Sequence, residues 1–124
     1  MSRKILVADD EPNIVISLEY LMKREGYTVL VARDGQEALD AIARDKPDLV
    51  LLDVMMPKKS GFEVCQAVRA NEELQATKIL MLTAKGRDTD LAKGLALGAD
   101  AYMTKPFSTR ELVQKVAEML QGPP

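Results

Sequence analysis

Three carboxylates, one hydroxyl and one ammonium stand at the ends of short apolar runs in this chain. Asp9 and Asp10 follow KILVA, Asp53 closes DLVLLD, Thr83 closes KILMLT, and Lys105 ends AYMTK just before Pro106. Brought to one crevice, the carboxylates would repel one another in a medium of lowered dielectric. A divalent cation relieves that repulsion. Hard oxygen ligands point to Mg²⁺ or Mn²⁺, with water and a substrate oxygen completing the octahedron. A carboxylate beside such a cation, faced by an ammonium and a hydroxyl, suits transfer of a phosphoryl group to the carboxylate. Asp53 would be the nucleophile, Lys105 and the cation would neutralise charge on the transferred oxygens, and Thr83 would hydrogen-bond one of them. Such a nucleophile is already ionised, so no added base is required. Taken singly, the same residues have plainer roles: Asp53 as a turn residue, Asp9 and Asp10 as caps of a helix, Thr83 as a strand end, Lys105 as a surface lysine. Their joint placement decides between the two readings.

That placement depends on the elements. Strands are expected at Lys4–Ala8, Tyr27–Ala32, Asp48–Leu52, Lys78–Leu82 and Ala101–Met103, as runs apolar enough for burial on both faces of a parallel sheet. Helical stripes lie between them. Ile14, Leu18, Leu21 and Met22 mark the first helix, with Gly26 as its stop. Asp34 to Glu37 (DGQE) reads as a capping box for a second helix, which turns Ala38, Leu39 and Ile42 inward. Ser60–Ala70 is the third, with Phe62, Cys65 and Val68 on one side. Asp88–Leu97 is the fourth, stopped by Gly98. Ser108 to Glu111 (STRE) opens a fifth, striped by Leu112, Val113, Val116 and Leu120. Five strands alternating with five helices give an α/β class with a flavodoxin-like, doubly wound, five-stranded parallel sheet of order 2-1-3-4-5. In such a sheet all the residues above emerge on one edge, beyond the carboxyl ends of the first and third strands.

Composition narrows the field. A chain of 124 residues fits one domain; 47% hydrophobic and 29% charged residues are ordinary for a soluble globular protein. The absence of histidine excludes Ser-His and Cys-His catalysis. The one cysteine, Cys65, excludes an intramolecular disulfide and a multi-cysteine zinc site. Seventeen basic against nineteen acidic residues leave a net charge of −2, which offers no footprint for direct nucleic-acid binding, and Lys58-Lys59 is read as solvated surface. No apolar run is long enough for a membrane span, and the start is no signal peptide, so a cytoplasmic location is expected.

The motifs ILVADDEP, LVLLDVMMPKKSGFEV, ILMLTAK and GADAYMTKPF together resemble the receiver domain of bacterial response regulators of two-component signalling, chemotaxis regulators included, over about Lys4 to Leu120. The resemblance implies that Asp53 takes a phosphoryl group from the phosphohistidine of a sensor histidine kinase or phosphotransfer protein. It implies Mg²⁺ held by Asp10, Asp53 and the backbone carbonyl of Met55, with Asp9 assisting through water, and Lys105 on the phosphoryl oxygens. The Lys105–Pro106 bond would be cis. Thr83 would move toward the phosphoryl group and Tyr102 inward behind it, remodelling the face of helix four, strand five and helix five for a downstream target or an effector domain absent from this chain. Met55 and Lys85 occupy positions that tune phosphoryl lifetime in the family. Lys59 stands where an apolar residue is common, which suggests a loop after Asp53 that is more exposed or that meets a partner differently. Ala101, Gln114 and Lys115 depart from the pattern of winged-helix DNA-binding members, which argues against their mode of dimerisation.

Two other readings compete. A phosphatase of the haloacid dehalogenase type needs a second Asp two residues after its nucleophile, where this chain has Met55. A receiver-like interaction module that has lost phosphorylation needs no active site, yet all five positions are filled. The chain is therefore expected to be a switch that promotes at most its own phosphorylation and dephosphorylation. Residues 1–121 would form the receiver domain, and 122–124 a tail or the start of a linker.

Overall fold

The computed structural model describes residues 3–84 and 88–121. Its strands are β1 (Lys4–Ala8), β2 (Thr28–Ala32), β3 (Leu49–Asp53), β4 (Lys78–Ala84) and β5 (Ala101–Lys105); its helices are α1 (Pro12–Arg24), α2 (Gly35–Asp45), α3 (Gly61–Ala70), α4 (Asp88–Ala96) and α5 (Thr109–Gln121). The sheet is wholly parallel, in the order β2-β1-β3-β4-β5. This is the flavodoxin-like architecture expected from the alternation of elements.

Period-two alternation divides the core into two layers. Leu6, Val50, Leu52, Ile79 and Met81 face α2 and α3, where Ala38, Ile42, Val64, Cys65 and Val68 meet them. Ile5, Val7, Leu49, Leu51, Leu80 and Leu82 face α1 and α5, against Val15, Leu18, Met22, Leu112 and Val116. Every residue of β3 is buried, because the strand is central and covered on both faces. The edge strands β2 and β5 are more open.

Three strand ends differ from the sequence-based expectation, and all three carry site residues. β3 includes Asp53, β4 continues through Thr83 to Ala84, and β5 reaches Lys105. The ladder explains the extension: Asp53 pairs with Leu82, Thr83 with Thr104, and Ala84 with Lys105. Composition marks where apolar side chains end, whereas backbone pairing continues while a neighbour offers partners.

The caps differ from helix to helix. Ser60 and Glu63 form a full capping box at α3, with Ser60 Oγ accepting from the Glu63 N–H. At α2 only half the expected box exists: Asp34 Oδ1 accepts from Glu37 N–H at 2.8 Å, but the Glu37 carboxylate accepts from Arg33 N–H, one residue early. At α5, Ser108 Oγ accepts from Glu111 N–H. Gly26 and Gly98 follow α1 and α4 with φ of 93° and 110°. A short 3-10 turn, Glu72–Leu74, between α3 and β4 had no expectation behind it.

Candidate functional site

The carboxyl edge of the sheet gathers the residues singled out at the start. Asp9 lies one residue beyond β1, its backbone N–H donating to the Ala32 carbonyl, and is fully buried. Asp53 at the end of β3 is buried, and Asp10 beside it is exposed. One carboxylate oxygen from each of Asp9, Asp10 and Asp53 falls within a set spanning 4.8 Å or less. Lys105, at the end of β5, reaches across to them: its Nζ lies 2.8 Å from Asp9 Oδ2 and 3.4 Å from Asp53 Oδ1. The other Asp9 oxygen accepts from the Glu11 backbone N–H at 2.9 Å, which ties the start of α1 to the site.

Electrostatics here are unlike those of an ordinary surface pair. Burial, reinforced by the neighbouring charge of Asp9, pushes the Asp53 carboxyl up to about 6, although Lys105 and the Met55 backbone N–H pull the other way. Burial alone would lower the Lys105 ammonium. The hydrogen bond to Asp9 and the charges of Asp53 and Asp9 outweigh it, and the group is raised. One cation thus serves two carboxylates and leaves the cluster with excess negative charge. All the donors are hard oxygens, and this matches a Mg²⁺ or Mn²⁺ site.

Thr83 is buried, and its Oγ1 hydroxyl donates to the Ala84 carbonyl at 3.4 Å. Tyr102 lies on the same face of the sheet, since Met81 pairs with Tyr102 and Thr83 with Thr104. It is 44% exposed, so its ring stands outward, bordering a surface hollow of about 250 Å³ shared with Pro106, Phe107 and Glu111. The Lys105–Pro106 peptide is cis. Met55 is exposed at the rim. Lys85 and the 122–124 tail lie outside the described residues.

The loop between β3 and α3 holds what the sequence reading missed. The Lys58 side chain is exposed, as its composition suggests. Its backbone, however, has a φ of 69°, and its ammonium lies 3.7 Å from Asp34, the N-cap of α2. Lys59, expected to open the loop to solvent, is half-buried. Gly61 was not singled out either. Its N–H donates to the Val54 carbonyl, and a β-carbon there would collide with the Asp53 carbonyl oxygen, so only glycine lets α3 begin this close to the end of β3. Gly after a capping serine was the available signal.

Comparison with known proteins agrees with this geometry. The family model for the response regulator receiver domain matches residues 5–117. A structure described as a response regulator from Chloroflexus aurantiacus is 35% identical, with a TM-score of 0.93, 98% of this chain and 99% of that one being covered. The chemotaxis response regulator CheY4 of Vibrio cholerae is 33% identical, with a TM-score of 0.90 and coverage of 96% and 99%. The signal receiver domain of a signal transduction histidine kinase from Syntrophus aciditrophicus is 29% identical, with a TM-score of 0.91 and coverage of 98% and 92%. The chain belongs to the response regulator receiver domain family of two-component signalling. Among the described residues, no helix is long and apolar enough to cross a membrane.

Proposed function

We propose that this domain is a phosphorylation-activated switch in which Asp53 is the acceptor. The observation that carries the reading is the sharing of Lys105 by Asp9 and Asp53, with Asp10 completing a cluster of hard oxygens at the end of β3. An Asp53 carboxylate oxygen attacks the phosphorus of a phosphohistidine, the P–N bond breaks, and the imidazole of the donor retains the electron pair. Asp53 then carries an acyl phosphate. Lys105 binds the phosphoryl oxygens and Thr83 donates a hydrogen bond to one of them. Asp10, Asp53 and the Met55 backbone carbonyl would hold Mg²⁺, or Mn²⁺ in its place, with Asp9 acting through water. When bound, the ion neutralises charge on the transferring group.

The donor is a sensor histidine kinase or phosphotransfer protein, and the reader of the signal is a target protein or effector domain. The chain acts on no other substrate and works in the cytosol. Residues 1–121 form the switching unit and 122–124 a tail or linker start. Phosphorylation draws Thr83 toward Asp53 and Tyr102 inward, changing the surface of α4, β5 and α5. Beryllofluoride with Mg²⁺, a stable mimic of the phosphoryl group, tests this by amide NMR. Large shifts are expected at Thr83, Tyr102 and along α4, β5 and α5. Shifts confined to the immediate neighbours of Asp53 would contradict the switch.

A further inference from the structure

Four residues separate Asp53 from Lys58, and the chain between them passes through Met55. At its far end this loop is fastened to the start of α2 in three ways. Gly35 N–H donates to the Pro57 carbonyl at 3.2 Å. The Lys59 carbonyl presses on Gly35 so closely that a β-carbon there would collide with it. Lys58 Nζ lies 3.7 Å from Asp34 Oδ2, while Asp34 Oδ1 caps α2 through Glu37 N–H. The Asp34 carboxylate therefore divides its oxygens between helix and loop. It is held below its ordinary value, chiefly by the Glu37 N–H; burial opposes this, and the Lys58 charge adds a lesser lowering of its own. Lys58 keeps this position despite a left-handed backbone, a conformation that residues with a β-carbon disfavour. A backbone conformation maintained against its own preference implies that its surroundings hold it there.

We propose that Lys58 is a positioning residue for the metal site: by tethering the loop to Asp34, it fixes the place of the Met55 carbonyl and thereby sets the affinity for Mg²⁺. This rests on the reading of Asp53 and Met55 as ligands. The sign of the effect separates positioning from simple charge. Lys58 is a cation near a cation site, so through Coulomb's law alone its removal would tighten Mg²⁺ binding. Through positioning, its removal weakens binding.

Calorimetric titration of MgCl₂ into the wild type, Lys58→Met, Asp34→Asn and the double variant makes the distinction. Asparagine caps a helix about as well as aspartate, so Asp34→Asn removes the ion pair and leaves α2 capped. Each single variant is expected to lose about two- to fivefold in Mg²⁺ affinity, the scale of one partly exposed ion pair, and the double variant no more than either. Lys58→Arg is expected to bind Mg²⁺ as the wild type does. Metal-free melting temperatures of the Lys58 variants should barely change, which keeps loss of fold apart from loss of position. Unchanged or tighter Mg²⁺ binding by Lys58→Met, in a series whose wild type binds the ion, would overturn the proposal and leave the ligand assignment standing. Absence of saturable Mg²⁺ binding by the wild type would overturn both.

Discussion

Asp53→Asn is expected to make the metal-free protein more stable at pH 7.5, not less. The Asp53 carboxyl is pushed up to about 6 from an ordinary value near 3.8, chiefly by burial and then by Asp9. Between those two pH values the folded state binds a proton that the unfolded state does not. Stability of the metal-free wild type therefore falls as pH rises through that window and levels off above it. The full linkage would be about 3 kcal/mol; water entering the open crevice reduces the expected gain on neutralisation to about 1–2 kcal/mol. For a domain of this size that is a rise of roughly 3–8 °C in melting temperature. Asparagine should also flatten the dependence on pH between about 4 and 6. Saturating Mg²⁺ should close or reverse the gap, because a ligand at 100 times its Kd stabilises the wild type by about 2.7 kcal/mol and has lost a carboxylate in the variant. Thermal melts over pH 4–8, with and without MgCl₂, give all three readouts. A variant that melts below the metal-free wild type would mean that Lys105 more than compensates the burial of Asp53.

The second large effect belongs to Lys105. Its replacement by Met leaves Asp9, fully buried, and Asp53, nearly so, facing each other without their shared cation. Breaking a buried ion pair from one side costs about 3–5 kcal/mol, and the solvent already reaching Lys105 reduces the expected loss to about 2–4 kcal/mol at pH 7.5 without metal. The loss should shrink on acidification, as Asp53 protonates. Mg²⁺ affinity should rise several-fold, since the ion no longer shares the cluster with an ammonium. Phosphoryl uptake from a small donor should nevertheless fall by about a hundredfold or more, the scale of removing one group that meets developing charge. Tighter metal with slower transfer is a combination that mere unfolding does not produce. Uptake at the wild-type rate would remove Lys105 from the phosphoryl site.

Much of this was readable in the sequence because the signals were local. The apolar run at Leu49–Leu52 suits a strand covered on both faces, and the capping box at Ser108 to Glu111 marks the start of α5, whose first residue is Thr109. A parallel sheet then carries Asp9, Asp10, Asp53, Thr83 and Lys105 to one edge without further information. What escaped depends on contacts between elements distant in sequence. Lys58 looked like solvent-facing charge because its partner is Asp34, twenty-four residues earlier, and because its left-handed backbone leaves no compositional mark. Gly35 and Gly61 matter through carbonyl oxygens that press on them, those of Lys59 and Asp53, and only the folded chain brings these pairs together. The expected capping box at α2 failed for a related reason: the Glu37 side chain found the Arg33 N–H, a choice of rotamer rather than of sequence pattern.

The measurement that bears most directly on the switch is the intact mass after incubation with acetyl phosphate, with and without Mg²⁺, run beside Asp53→Asn. The expected result is a gain of one phosphoryl group that requires Mg²⁺ and is absent from the variant. No gain in a folded wild type that binds Mg²⁺, or an equal gain in the Asn variant, would contradict Asp53 as the acceptor.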